Sequence, residues 1–289
     1  MTTASPAPEL PTGRPLAGPT ALGGDAGRFW RLTWTLAVTQ FKLRFYGSAL
    51  GYLWQLMRPL LLFGVLYVVF TEFVRLGDDI EFYPVVLLTG IVLFTFVSEA
   101  TSGGVLSIVQ SEALIRKVEF PRMAIPCAVV LTALFNLGLN MLAVVVFAII
   151  SGVDFHTSIV QLPIIVAAIA MFVLGIVLLT SSLYVKYRDV QPIWDVMLQM
   201  LFYGTPVLYP IEIVQERSAS AAEWLVTLNP FAAIVQQTRH AVLDPTADSA
   251  AVAAGGWGHL CITGAILVAI LAVGFLVFRR RAPYVAEEL

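Results

Sequence analysis

Charge is scarce in this sequence: 12% of its 289 residues are Asp, Glu, Lys or Arg, against 58% hydrophobic residues. A soluble domain carries roughly a quarter charged residues, so this composition, with a mean hydropathy of +0.85, places the chain outside that class. Lysine is scarcer still. Lys42, Lys117 and Lys186 follow Phe41, Arg116 and Val185, so no Gly-Lys-Ser/Thr turn exists to cradle a nucleotide phosphate. The two cysteines, Cys127 and Cys261, stand in apolar runs, which argues against a disulfide framework. His156, His240 and His259 have no Cys or His at ligand spacing, so no metal site is expected. Neither GxSxG nor HExxH occurs, and adjacent acidic pairs stand only at Asp78-Asp79 and Glu287-Glu288. No catalytic residue is expected.

What the sequence has is long apolar runs. A helix crossing a hydrocarbon core about 30 Å thick needs about 20 apolar residues. Six runs qualify: 51–74, 83–109, 123–151, 160–184, 191–209 and 260–278. Only helices and closed barrels satisfy their backbone in lipid, and these runs lack the two-residue alternation of barrel strands. The expected fold class is therefore an all-α integral membrane protein with six transmembrane helices. Residues 1–27, rich in Pro, Gly, Ala and Thr and without a signal-peptide core, are expected to be a disordered tail. Residues 28–289 then form one transmembrane domain.

Lys and Arg sort onto one side of these spans. Arg28, Arg31, Lys42 and Arg44 precede the first run; Arg116, Lys117 and Arg122, then Lys186 and Arg188, then Arg279, Arg280 and Arg281 follow alternate later runs. The other side holds Arg75, Arg217 and Arg239 among many acidic residues. The positive-inside rule puts both termini, and the stretch SEALIRKVEFPRMAIP at 111–126, in the cytoplasm. In residues 29–46, Trp30, Trp34, Ala37, Phe41 and Phe45 recur at helical spacing while Arg31, Gln40, Lys42 and Arg44 take other positions, as in an amphipathic helix lying in the interface. At the outer side the fifth run breaks at GTPVLYP, and the following apolar stretch AAIVQQTRHAVL is too short to cross. Residues 204–243 are expected to form re-entrant short helices.

Polar residues inside the spans narrow the function. Thr132, Asn136 and Asn140 fall four apart on the third span, Ser98, Glu99, Thr101 and Ser102 cluster on the second, and Asp195 and Gln199 lie four apart on the fifth. A charge at bilayer depth costs about 2.5–3.5 kcal/mol or more, so Glu99 requires either a polar pathway or an ion pair. Asn and Ser fit helix-to-helix hydrogen bonding equally well.

In order, GYLWQLMRPLL, LIRKVEFPRMAIP, YVKYRDVQPIWD, GTPVLYP and LNPF resemble the permeases of type-2 ABC exporters, from about residue 29 to the C-terminus. The branch is the one that exports lipid-linked polysaccharides such as O-antigens, teichoic acids and actinobacterial galactan, with the galactan exporters nearest in flavour. The resemblance implies a half-transporter that pairs as a homodimer and binds two copies of a separate ATPase, which holds the ATP and magnesium; this chain needs no cofactor of its own. It implies a polyprenyl-linked polysaccharide substrate, contact with membrane lipid, no nucleic acid, and a place in the bacterial plasma membrane. Carried onto this chain, Glu112, Arg116, Lys117, Glu119 and Phe120 couple to the ATPase, with Arg188 and Asp189 as a second contact. Tyr52, Tyr67, Phe202 and Tyr203, with Glu99, Asn136 and Asn140, line the channel. Gly204, Pro206, Tyr209, Pro210, Asn229 and Pro230 shape the outer re-entrant region. Arg58 stands where a neutral residue is expected. The alternatives are a type-2 exporter of another lipid or drug, or a secondary transporter, though neither inverted repeats nor an ion-coupling site is visible.

Overall fold

The computed structural model describes residues 26–44, 46–47, 50–74, 82–117, 120–153 and 157–284, which form helices and turns with no strand among them. The expected tail lies outside the described residues except for its last two positions, and so does Glu119. The helices are α1 (Ala26–Arg44), α2 (Leu53–Val68), α3 (Tyr83–Gln110), α4 (Glu112–Lys117), α5 (Ala124–Ile150) and α6 (Leu162–Tyr184). After them come α7 (Val190–Gly204), α8 (Ile211–Arg217), α9 (Ala219–Leu228), α10 (Pro230–Thr238), α11 (Ala250–Ala253) and α12 (Trp257–Arg281). A π-helical turn, Val69–Phe73, extends α2.

Proline sets where several of these helices begin. Pro84, Pro163 and Pro230 stand in the first turns of α3, α6 and α10, where the missing N–H is not needed and the fixed φ suits the helix. At the far end of α5, Gly152 takes φ +76°, and the Val153 amide bonds back to the Ala148 carbonyl at 3.0 Å. That left-handed residue stops the helix.

Among the described residues, five helices are long and apolar enough to cross a membrane: Leu53–Phe73, Tyr83–Gln110, Ala124–Ile150, Thr157–Tyr184 and Trp257–Tyr284. The chain is a multi-pass membrane protein. The run expected at 191–209 differs. Its helix, α7, has 15 residues and so spans about 22 Å at 1.5 Å per residue. It ends at Gly204, because Thr205 is extended and Pro206 cannot donate the next hydrogen bond.

α3 is the hub. It is buried along most of its length against α5, α6, α2 and α7, whereas α2 and α12 expose most of their surface. α6 and α12 pack with backbones in near contact: a Cβ on Gly175 would lie 2.8 Å from the Leu271 Cα, and one on Gly274 would collide with the Gly175 carbonyl. Small residues permit such an approach, which is how helices gain dispersion energy in lipid.

One apolar cluster ties together the end of the bundle that carries the chain's C-terminal helix end. Ile108, Ile115, Phe120, Met123, Val185, Phe278 and Ala282 are buried there, with Phe29 and Leu32 of α1 packed on them. The buried Arg122 guanidinium donates to the Ala282 carbonyl at the same end. At the opposite end the Tyr83 hydroxyl donates to the Leu208 carbonyl at 3.0 Å, and Gln237 donates to Gln161 at 2.6 Å.

α1 divides the apolar stripe read from its sequence. Trp30 and Trp34 are exposed, while Thr33 and Ala37 are buried against α5. The Thr132 hydroxyl lies 3.2 Å from the Ala37 carbonyl, and Arg44 reaches into the bundle. The side of α1 that meets the protein is therefore mixed: small and polar residues face α5, while Trp34 and Phe41 pack edge-on to Phe135 at 5.5 and 5.7 Å between ring centroids.

Candidate functional site: a polar cavity inside the bundle

A cavity of about 730 Å³ opens between α1, α2, α3 and α5. Its walls carry Gln40 and Arg44 from α1, Arg58, Pro59 and Leu62 from α2, Phe94, Thr95, Ser98, Glu99, Ser102 and Gly103 from α3, and Val129, Thr132 and Ala133 from α5. Three of these are charged, in a chain region otherwise built from apolar helices.

Glu99 organises the site. Its carboxylate accepts from the Arg44 guanidinium, from Gln55 Nε2 at 3.0 Å and from Asn136 Nδ2 at 2.5 Å. Four helices thus converge on one side chain that is 13% exposed. A carboxylate taken out of water is tolerated when paired and hydrogen-bonded, and is very costly otherwise. Gln55 sits four residues before Pro59, which lines the cavity and has no N–H to donate to the Gln55 carbonyl. Arg58, where the motif led us to expect a neutral residue, lines the cavity and makes no ion pair among the described residues.

The structure brings some of the expected channel residues together and separates others. Glu99 and Asn136 meet at the node just described. Asn140 is buried one turn further along α5, with its Oδ1 unpartnered, as is that of Asn136. Tyr52 stacks on Phe41 with ring centroids 5.3 Å apart, and Phe202 packs at 4.6 Å on Phe94 of the cavity wall. Tyr67 stacks on Phe63 and Tyr203 is exposed; neither lines the cavity. No α7 residue lines it either, although α7 is pinned to α3 by the Trp194 indole, which donates to Thr101 Oγ1 at 2.9 Å.

The residues assigned to docking also divide. Arg116 and Lys117 are exposed on α4, with Arg116 paired to Glu112 at 2.8 Å, and Arg188 and Asp189 are exposed in the turn before α7. Phe120 is not a surface residue: it is 6% exposed and belongs to the apolar cluster that anchors the loop. Its ring is buried because removing apolar surface from water is favourable.

The segment after α7, expected to lie at the outer side, is held by polar contacts that sequence reasoning assigned only to topology. Arg239, buried, pairs with Glu212 at 2.7 Å and with Asp244 at 3.8 Å. Burial pushes the Asp244 carboxyl up, but bonds from the Thr246 hydroxyl and the Thr246 and Ala247 amides, with the Arg239 charge, outweigh it and hold it below its ordinary value. Asn229 caps α10, accepting from the Phe231 and Ala232 amides at 3.1 and 3.3 Å, while its amide donates to Thr205 Oγ1 at 2.8 Å. The Asn229-Pro230 pair is thus a helix start tied to the break after α7, beside which Pro206 and Pro210 line a small cleft with Gln236 and Arg239. Tyr209 donates to the Tyr203 carbonyl at 3.3 Å across that break, and Gly204, the last residue of α7, is exposed. The five-residue spacing of Arg239 and Asp244 was the available signal for the ion pair, and a lone Glu99 in an apolar run was the signal for a cation such as Arg44.

The chain is thus an apolar helical membrane bundle with a charged interior cavity and exposed basic residues at one end. The family profile described as ABC-2 type transporter matches residues 31–243, and the chain belongs to that family. It is 30% identical over 201 residues, 70% of this chain and 76% of the relative, to an O-antigen export system permease protein RfbA of Myxococcus xanthus. A protein of the same name from Klebsiella pneumoniae is 26% identical over 266 residues, covering 92% of this chain and 97% of its own. The polysialic acid transport protein KpsM of Escherichia coli is 25% identical over 215 residues, covering 72% and 80%.

Proposed function

We propose that this chain is the membrane permease of an ATP-driven exporter of a lipid-linked polysaccharide, working as a homodimer with two copies of a separate ATPase. The observation that carries this is the match, over 70%, 92% and 72% of this chain, to two O-antigen export permeases and a polysialic acid transport protein. The chain itself does no hydrolysis on this reading; the ATPase holds ATP and magnesium and docks on α4 and the turn at Arg188-Asp189. Both termini face the cytoplasm of the bacterial plasma membrane, in keeping with the distribution of Lys and Arg. The translocation path runs between two copies along α2 and α7. Asp195 and Gln199 are exposed on α7 beside Ile193, Val196 and Met200, where facing lipid would be costly for the aspartate. A polyprenyl carrier and a galactan chain are the specific substrate this reading favours.

The test is co-expression with an ATPase subunit encoded beside it, reconstitution into vesicles, and measurement of ATP-dependent transfer of a radiolabelled lipid-linked galactan. Transfer that requires both subunits is expected. ATP hydrolysis by the chain alone, or a hydrolysing complex that moves no glycan, overturns the proposal.

A further inference from the structure

We propose that the cavity between α1, α2, α3 and α5 binds a phosphate or diphosphate group, with Arg58 as the first contact and Glu99 as the internal anion that the ligand displaces from Arg44. This rests on the export function proposed above and names what the site would hold: the charged end of the lipid-linked substrate.

The argument starts from what the cavity leaves unpaired. Two guanidinium groups and one carboxylate line it, so its charged groups sum to plus one. Its carboxylate is already taken by three donors, Arg44, Gln55 and Asn136. A carboxylate offers about four lone-pair sites, so little acceptor capacity is left for a cation. Donors are in surplus. Arg58 has no ion pair among the described residues, and its guanidinium carries five N–H groups. Ser98 and Ser102 stand one helical turn apart on the same wall, and neither hydroxyl makes a hydrogen bond among the described residues. The other two wall hydroxyls are occupied, Thr95 by the Ile91 carbonyl and Thr132 by the Ala128 carbonyl.

A site rich in free donors and net positive fits an acceptor-rich anion. A neutral sugar would use the hydroxyls and leave the Arg58 guanidinium on the cavity wall without a counter-ion. A phosphate compensates it and matches the planar fork of arginine. The volume, about 730 Å³, falls in the range of about 300–1,000 Å³ that small-ligand sites occupy. Arg44 is within reach of such a ligand, because its side chain remains 40% exposed although paired. Two acceptors would then compete for one guanidinium, which makes Glu99 a stand-in for the ligand. Removing the Glu99 charge should therefore tighten binding, whereas a purely structural ion pair would show no gain when broken.

The same chemistry has two sources, the diphosphate of a lipid carrier and the headgroup of an ordinary anionic phospholipid. The full chain, in nanodiscs of neutral phosphatidylcholine, is titrated with farnesyl diphosphate, farnesol, inorganic diphosphate and phosphatidylglycerol, with binding read by native mass spectrometry. Farnesyl diphosphate is expected to bind at least about tenfold tighter than farnesol, and Arg58→Ala to lose about that factor, one charge-assisted contact. Glu99→Gln should tighten it severalfold, and Ser98→Ala should weaken it without touching the ion pair. Competition by phosphatidylglycerol assigns the site to membrane headgroups, and its failure assigns it to a diphosphate carrier; either upholds a phosphate site. Equal binding of farnesol and farnesyl diphosphate, unchanged binding in Arg58→Ala, or weaker binding in a folded Glu99→Gln overturns it. Arg58 is exposed and unpaired, so its removal carries little folding cost. If the reconstituted complex exports glycan while no diphosphate binds, the site falls and the exporter stands; if diphosphate binds and no glycan moves, the reverse holds.

Discussion

At the scale of single residues, the interior is governed by whether each charge finds its partner. Arg44 is 55 positions from Glu99, and Arg44→Ala leaves that carboxylate with only two neutral donors. We expect a loss of about 1–3 kcal/mol, the penalty of an under-satisfied buried group, seen as a lower unfolding temperature in detergent. Adding Glu99→Gln should restore part of it, a non-additivity that a double-mutant cycle reads directly. Asp244 gives a pH dependence. Its folded value lies below the ordinary 3.8, so its contribution is complete above 3.8 and is lost as pH falls through the lower folded value. Asp244→Asn should therefore lower the unfolding temperature at neutral pH, and the gap to the unmodified protein should close as the medium is acidified past that range. Unequal legibility shows at this scale: Glu99 stood out by being alone in an apolar run, whereas Arg44 looked like one more basic residue beside the membrane. Its role depends on how α1 is rotated against α5, which periodicity in one helix does not fix.

Individual elements were legible wherever one physical cause dominates. Helices α3, α5 and α12 match the apolar runs to within three residues at each end, because hydrophobic length is both what a bilayer selects and what a sequence displays. α7 was legible in its start and in its break but not in its length, since the residues after Gly204 are apolar yet turn away at Thr205 and Pro206. The outer helices carry short caps and ion pairs between distant segments, and only Asn229-Pro230 announced itself. Asn229→Ala should cost about 1 kcal/mol through the lost cap and strand the Thr205 hydroxyl as well. Faster limited proteolysis between α8 and α11 would report it. The α6–α12 contact is less forgiving. Gly274→Leu places a side chain against the backbone of α6 at Gly175, and we expect a loss of at least about 1–3 kcal/mol from overpacking, with sharply reduced yield of folded protein. Gly264, which meets nothing within 4 Å, is the control and should accept Ala without that loss.

Across the whole molecule, the bundle presents two working ends joined by α1. Its first two turns pack through Phe29 and Leu32 on the apolar cluster that holds Ile115 and Phe120, and its last residue reaches the cavity wall. Charge reversal at Arg116 and Lys117 should abolish co-purification of the ATPase while leaving membrane insertion intact and the unfolding free energy within about 0.5 kcal/mol, as for surface substitutions generally. Retained co-purification and transport would remove α4 from the coupling surface. The long separation between Arg44 and its partners also bears on how the protein is made. Chains emerge at about 5–20 residues per second, so Arg44 waits several seconds for Glu99, and longer for the α5 surface on which α1 rests. The first helix to be synthesised is therefore among the last to be seated. Until then its arginine and tryptophans have only water and head groups for company. A nascent chain stopped before Ala124 should leave a cysteine placed at Ala37 open to a water-soluble reagent, and completion of α5 should close it.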